Sequence, residues 1–386
     1  MEKKHLKVQQ REKNKKTKII IIALLILVVI LLFWLFTGSK KYSLTEVFYG
    51  FRVTPDHNYL IHNGKLYYNV EEHDLDMALR TGNGLTQDTL NVMNLDESGN
   101  KILCDLTEGD YYITSKYFHF IRNNELYYSS YYSHSHKGSI SNRKVNLSTC
   151  KITKLPSDYE FLKDYGGNEI AYLNKVVTTS KSSYSRIIKY NLDKNKILDE
   201  NTISSNTYDY ILDYSNFDIY YASGFSLYKN DELIVKMDNL YNLLLLTDKY
   251  MFMKDGYDRK IIQVDLVNNE VIGEKDNLYG KLHRISSDND ERFFQGSDRI
   301  YKYNEETGEF EDMLNTRVKS SYYDVYHYGK KLVFTDGDSS ILIYDTVTKK
   351  VKEYPFVKYS IDSKYIYIVS STGSTSDKTK IEKIKI

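Results

Sequence analysis

Across residues 42–386 apolar positions alternate with polar ones in short runs, and no stretch sustains the three-and-four spacing of an amphipathic helix. The runs are rich in Tyr, Ile, Val and Phe, which suit a pleated, half-buried surface. They recur in a fixed order: "GKLYYNV" (64–70), "NELYYSS" (124–130), "NEIAYLN" (168–174), "FDIYYAS" (217–223), "KYMFMKD" (249–255), "ERFFQGS" (291–297), "KKLVFTD" (330–336) and "KYIYIVS" (364–370). A short segment precedes each, often ending in a Ser, Asp or Asn turn. A hairpin follows most of them, as in "RKVNLSTCKITKL", "IIQVDLVNNEVIGE" and "ILIYDTVTKKVKEY". Hairpin centres near Val92, Val145, Tyr190, Tyr228, Val264, Tyr303 and Tyr344 lie 36 to 53 residues apart.

A period of about 40 residues built from four short strands is the signature of propeller blades. One twisted four-stranded sheet cannot cover both its faces. Arranged face to face around an axis, each blade covers the next, and closing the ring removes the exposed ends. The expected fold is all-β: a β-propeller of about eight four-stranded blades. Seven is the alternative, because Asp209–Leu246 is compressed and "LYNLLLLTDKY" is ambiguous. A β-solenoid or paired sandwiches come third. The last unit stops after its third strand at Ile386, and "YSLTEVFYG" (42–50) is a spare strand placed to clasp the ring shut. The first unit carries an insertion at 71–87, whose start is expected to form a helical turn or two.

The remaining pattern is different in kind. Ile19–Phe36 is an unbroken run of eighteen apolar residues. At about 1.5 Å per residue it reaches roughly 27 Å, close to the hydrocarbon thickness of a bilayer. Eight basic residues precede it, against Glu2 and Glu12, and only Lys40 and Lys41 follow closely. That asymmetry marks the N-terminal side as cytoplasmic. A cleaved signal usually has a shorter apolar core and a small-x-small cleavage site, whereas this run ends in "FWLF". The expected organisation is therefore a basic cytoplasmic tail (1–18), a transmembrane signal-anchor helix crossing the lipid bilayer (19–36), a short linker (37–44) and an extracytoplasmic propeller (45–386).

Charge divides at the same place. Residues 1–41 carry a net charge of +8 and the whole chain +1, leaving −7 for the remainder. An acidic ectodomain argues against nucleic acid as a partner. Two cysteines, Cys104 and Cys150, are too few for a disulfide framework. The repeat places Cys104 on the outer strand of the first blade and Cys150 at the hairpin turn of the second. Outer edges of neighbouring blades splay, so the pair is expected to exceed the roughly 7 Å limit on Cα separation and stay unpaired.

The tyrosine-rich strands "GKLYYNV", "NELYYSS" and "FDIYYAS", with hairpins such as "SLYKNDELIVK", resemble a bacterial membrane-anchored propeller family of unknown function, similar to the low-density-lipoprotein-receptor propeller. The receptor's Tyr-Trp-Thr-Asp repeat is absent. The resemblance implies a fold and an envelope location; it carries over no catalytic residue.

Candidate chemistry is sparse. The sole Trp, Trp34, lies in the apolar run, so the ectodomain lacks the signatures of WD-repeat, sialidase-type and quinone-dependent propellers. In "YYSSYYSHSHKGS" (127–139), His134 and His136 would point the same way on a strand and could share a metal, with His119 as a third ligand. The plainer reading is an exposed loop between strands. The acidic segments 335–340 ("TDGDSS") and 286–291 ("SSDNDE") resemble fragments of calcium loops but lack the full pattern, and Asp and Gly are also ordinary turn residues. No catalytic, cofactor-binding or metal residue is assigned, no cofactor is implied, and the ligand-binding residues are unknown. Six Tyr-Tyr pairs are expected to send one ring into each face of a blade, with hydroxyls at the rim. The expected function is a non-catalytic binding or scaffolding module for an envelope protein, peptide or glycan. The alternative is a propeller-type hydrolase or lyase acting on extracellular glycans.

Overall fold

The computed structural model describes residues 59–385 except 74–84, 108–112, 133–138, 163–168, 179–182, 204–209, 288–292, 337–339, 372–378 and a few isolated positions (214, 258, 278, 280–281, 305–306, 315, 320, 323, 356 and 363). All described strands belong to one compact unit, Ser43–Ile386. The apolar run 19–36 and the clasp candidate 42–50 lie outside the described residues. No helix among the described residues is long and apolar enough to cross a membrane.

Eight antiparallel units follow one another along the chain. Blade 1 is β1 (Tyr59–His62), β2 (Lys65–His73), β3 (Leu85–Asn94) and β4 (Lys101–Asp105). Blade 2 is β5 (Ile113–Arg122), β6 (Glu125–Tyr132), β7 (Ser139–Asn146) and β8 (Ile152–Lys154). Blade 3 is β9 (Glu160–Phe161), β10 (Ile170–Thr178), β11 (Ser183–Asn191) and β12 (Lys196–Ile203). Blade 4 is β13 (Tyr210–Asp213), β14 (Asp218–Ser223), β15 (Ser226–Lys229) and β16 (Glu232–Lys236). Blade 5 is β17 (Tyr241–Leu246), β18 (Tyr250–Asp255), β19 (Lys260–Asp265) and β20 (Glu270–Asp276). Blade 6 is β21 (His283–Ser287), β22 (Phe293–Gln295), β23 (Ile300–Asn304) and β24 (Glu309–Asp312). Blade 7 is β25 (Asp324–Tyr328), β26 (Lys331–Thr335), β27 (Ile341–Asp345) and β28 (Val351–Tyr354). Blade 8 has three described strands, β29 (Lys358–Ile361), β30 (Tyr365–Ser371) and β31 (Thr379–Lys385).

Each of the eight tyrosine- and aliphatic-rich runs is the second strand of a blade. The compressed stretch near 209–246 is a full blade followed by the next blade's first strand; a two-residue turn with positive φ at Asn230 and Asp231 shortens it. The insertion of blade 1 departs from expectation. Glu71–His73 and Leu85–Asp88 pair as a continued hairpin, so the backbone there satisfies itself across strands rather than along a helix. Residues 74–84 lie outside the described residues.

Seven hydrophobic clusters fill the seven successive interfaces from blade 1 to blade 8. The tyrosine pairs divide between them as the two-residue period of a strand requires. Tyr128 enters the cluster shared with blade 1, and Tyr127 the one shared with blade 3. Tyr220 and Tyr221 divide likewise. Their hydroxyls reach polar partners at the rim: Tyr127 donates to Glu125 at 3.3 Å and Tyr68 to Asn100 at 2.8 Å.

First strands meet around the axis. β21 and β25 pair in parallel, and β1 lies against β29. There Ile61 N–H donates to Ser360 Oγ at 3.0 Å and Asn63 N–H to Asp362 Oδ2 at 3.0 Å, so the first and last blades adjoin.

The cysteines contradict the expectation. Cys104 and Cys150 form a disulfide with Cα atoms 5.3 Å apart. Their positions in the repeat are as read, on β4 and in the β7–β8 turn, but the splay argument fails. The hydrophobic cluster between blades 1 and 2 extends outward to Leu103, Cys104, Cys150 and Ile152, so the outer strand of blade 1 stays packed on the β7–β8 turn. Cys150 also takes a left-handed conformation, φ 57°, within the turn, and its neighbours pack on the blade 1–2 cluster.

Candidate functional site

A four-stranded meander puts its first-to-second and third-to-fourth turns on one face of the ring. The second-to-third connections and the links between blades leave from the other. The two faces are built differently.

On the turn face, the third strand of blades 2, 3, 5, 6 and 7 ends in an Asn or Asp whose side chain folds back on the turn. Asn146 Oδ1 accepts from the N–H groups of Ser148 and Thr149, both at 3.0 Å. Asp265 does the same for Val267 and Asn268, and Asp345 for Val347 and Thr348. Asn191 and Asn304 each cap one N–H. These bonds hold the Asp345 carboxyl well below the usual carboxylate range, with Lys331 adding to the effect. The next residue then docks on the neighbouring turn: Leu147, Leu192 and Leu266 donate to the carbonyls of Asn124, Glu169 and Lys249, each at 2.9 Å. This face is a set of stapled, repeated turns, interrupted chiefly by the longer 162–169 connection.

The longer separations between described strands on the opposite side fall between β2 and β3, β4 and β5, β6 and β7, β24 and β25, and β30 and β31. Just beneath its first sector, between blades 1 and 2, lies a buried ionic pair. Lys116 on β5 and Asp88 on β3 are in contact and both fully buried. Glu71 pairs with Asp88 across the hairpin, Ser130 sits opposite Lys116, and Arg143 is 6% exposed on β7. Burial pushes the Lys116 ammonium down to about 8, with Glu71 opposing and Arg143 assisting.

The second-to-third connection of blade 5 is organised by another buried carboxylate. Asp255 Oδ1 accepts from the N–H groups of Arg259 and Lys260, at 2.6 and 3.1 Å. The loop displays Tyr257, 75% exposed, with the Arg259 guanidinium over its ring at 4.7 Å.

His119 takes a structural role. Asn142 donates its amide hydrogens to the carbonyls of Pro156 and Tyr159, which leaves Oδ1 to accept from Ser129 Oγ at 2.6 Å. The Ser129 proton is thereby committed, so His119 Nε2, 2.7 Å away, donates to Oγ. A serine nucleophile needs the reverse polarity. The imidazole also stands against Phe161, with centroids 4.5 Å apart, which ties blade 2 to blade 3. With Nε2 used, His119 is poorly placed as the third metal ligand considered above; His134 and His136 lie outside the described residues. Among the described residues no group of three His, Cys, Asp or Glu side chains could hold a metal ion. Asp336 of the 335–340 segment caps its own turn by accepting from Ser340 N–H at 2.6 Å. Most of 286–291 is outside the described residues.

Buried tyrosines give the ring a defined alkaline limit. Burial raises Tyr190 and Tyr279 to about 12, with Glu309 adding to the effect at Tyr279. Burial also raises Tyr127, Tyr221 and Tyr367, helped by Glu125, Asp231 and Asp362. A raised folded-state value means the proton is held more tightly when folded. That stability is complete below the ordinary value of about 10 and is lost as pH climbs beyond it. We expect urea midpoints to fall steeply above about pH 10 while tyrosinate absorbance rises on unfolding; tyrosines ionising near 10 without loss of stability would contradict these assignments.

These features define an eight-bladed β-propeller with one face of stapled turns and an opposite face to which the longer connections between described strands lead. No protein-family model matches the chain, and no curated protein sequence does. Solved structures share its outline. The computationally designed Ika8 protein is 9% identical with a TM-score of 0.46, over 84% of this chain and 95% of that one. The β-propeller domain of the Trilobed protease from Pyrococcus furiosus is 11% identical with a TM-score of 0.44, over 85% and 93%. BamB from Moraxella catarrhalis is 9% identical with a TM-score of 0.40, over 83% and 95%. These are similarities of fold alone.

Proposed function

We propose that the chain is an extracytoplasmic binding or scaffolding module, anchored in the membrane through residues 19–36, that holds an envelope protein, peptide or glycan against its irregular face. The difference between the two faces carries the reading. One set of turns is spent on repeated internal caps, while the other leaves long connections and exposed side chains free to vary, as binding surfaces on rigid scaffolds do. The apolar run with its basic flank supports the anchor. The Cys104–Cys150 disulfide supports an oxidising compartment. The hydrolase reading gains no support from His119 and Ser129, whose hydrogen bond runs in the wrong direction.

The test uses the full chain in mild detergent, immobilised and exposed to envelope extract, with each captured component then purified and rebound. Replacing 74–84 and 133–138 by Gly-Ser linkers should abolish rebinding, while Val347→Ala on the turn face should not. Rebinding that survives the linker replacements but fails with Val347→Ala would reverse the reading. Mass measurement of the mature N-terminus tests the anchor separately: a start between Gly38 and Tyr42 would show cleavage.

A further inference from the structure

Among the described residues, Asp88 and Lys116 are the only carboxylate and ammonium with no exposure at all. They stand two residues from Leu90 on β3 and Phe118 on β5, so they share the strand faces that build the blade 1–2 cluster. Lys116 Nζ touches Asp88 Oδ2, yet the contact lacks the alignment of a donated hydrogen bond. Among the described residues neither Nζ nor either Asp88 oxygen has a hydrogen-bond partner. A buried ion pair normally survives by satisfying its remaining protons and lone pairs. This pair does not, although Ser130, also fully buried, is opposite Lys116 in the β5–β6 ladder. The amine is held against the carboxyl group without being committed as a donor.

A second carboxyl group completes the arrangement. Glu71 is directly opposite Asp88 in the β2–β3 ladder, which puts the two side chains on one face with Cβ atoms about 5 Å apart. Glu71 is half-buried and accepts from Asn69 Nδ2 at 3.2 Å, which orients it. Burial pushes the Lys116 ammonium toward its neutral form, against the charge of Glu71. A neutral amine and a neutral carboxylic acid in a dry site are the reactants of an amide. Fixed contact replaces the activation that a free acid needs in water, and Glu71 is placed to move protons between them.

We propose that Lys116 and Asp88 condense to an intramolecular amide that cross-links β5 to β3, with Glu71 carrying the protons. The ammonium first loses one proton, through Glu71, to an Asp88 oxygen. The Nζ lone pair then attacks Cγ and the C–N bond forms. A second proton passes from the nitrogen through Glu71 to the acid hydroxyl, the C–O bond breaks and one water leaves. Nothing is oxidised or reduced, and Glu71 ends as it began. The amide and the Cys104–Cys150 disulfide then join the same two blades at two points. Until it condenses the pair is ionic, and its ionic energetics are those of freshly folded chain whose mass is still full.

The test is the intact mass of the full chain in mild detergent, followed from cell-free synthesis onward. The mass should start at that of the sequence with its disulfide and fall by one water. A tryptic digest should then contain one branched peptide joining Asp88 to Lys116, uncut after Lys116. Lys116→Met and Asp88→Ala should keep the full mass. Glu71→Gln should lose water at least about 100-fold more slowly at an unchanged circular-dichroism spectrum, which separates a proton carrier from a residue needed for folding. Wild-type chain that retains its full mass, with Asp88 and Lys116 in separate peptides, would overturn the proposal. So would a water loss that persists in Lys116→Met or maps to the Asp255–Gly256 step. Condensation of Glu71→Gln at the wild-type rate would overturn the part given to Glu71.

Discussion

Removing the disulfide should cost the ring about 2–4 kcal/mol. Cys104 and Cys150 are 46 residues apart, and closing a loop of that length lowers the entropy of the unfolded chain by an amount worth about 4 kcal/mol at 25 °C. The bond also fixes β4 to the β7–β8 turn, which the blade 1–2 cluster otherwise holds through Leu103, Ile152 and their neighbours. Cys104→Ser/Cys150→Ser should therefore unfold at lower urea with a similar slope, and reductant should shift the wild type to the same midpoint while leaving the double variant unmoved. The native protein should show no titratable thiol. Two thiols in the native protein, or reductant shifting both proteins equally, would refute the link.

That bond also shows where sequence reasoning stopped. Placing Cys104 on an outer strand and Cys150 in a turn needed only the repeat. Their separation depended on how far outward the blade 1–2 cluster packs and on the left-handed conformation of Cys150, which no alternation of apolar residues encodes. The blades were legible because each second strand must be apolar on both faces, so "ELYYSS" or "KLVFT" stands out wherever it occurs. The turn caps were also within reach. Val145, Tyr190, Val264, Tyr303 and Tyr344 are each followed by Asn or Asp, a regularity that the hairpin centres display directly. The exposed apolar side chains at the blade 4 and blade 5 connections were not legible. Phe225, Leu240 and Tyr257 look like any other apolar residues in an alternating chain. Their exposure follows from lying at connections between strands. Asp88 and Lys116 were hidden for the opposite reason: charged residues in a strand read as solvent-facing, and only packing of one blade on the next buries them.

Breaking that pair should be the most damaging small change to the ring. Taking charges out of water costs several kcal/mol each, and the pair survives because each offsets the other. Lys116→Met leaves Asp88 and Glu71 facing Arg143, and Asp88→Asn leaves Lys116 and Arg143 facing Glu71. Each single substitution should cost about 3–5 kcal/mol, while Asp88→Leu/Lys116→Met, which keeps the cluster neutral, should be near wild type or better. The double-mutant cycle then returns a large coupling; additive costs would mean that packing, not charge, is lost. pH separates the two explanations again. The Lys116 value in the folded protein, about 8, lies below its ordinary 10.5. Between those values the unfolded chain binds more protons, so this group makes stability rise with pH. In Asp88→Asn the lost counter-charge should lower the folded value further, so recovery begins below pH 8 and continues until the tyrosines intervene near 10. Lys116→Met has no such proton to release and should show no rise. A flat profile for Asp88→Asn between pH 7 and 10 would mean that Lys116 reaches solvent when its partner is gone, and that no charge is trapped between the first two blades.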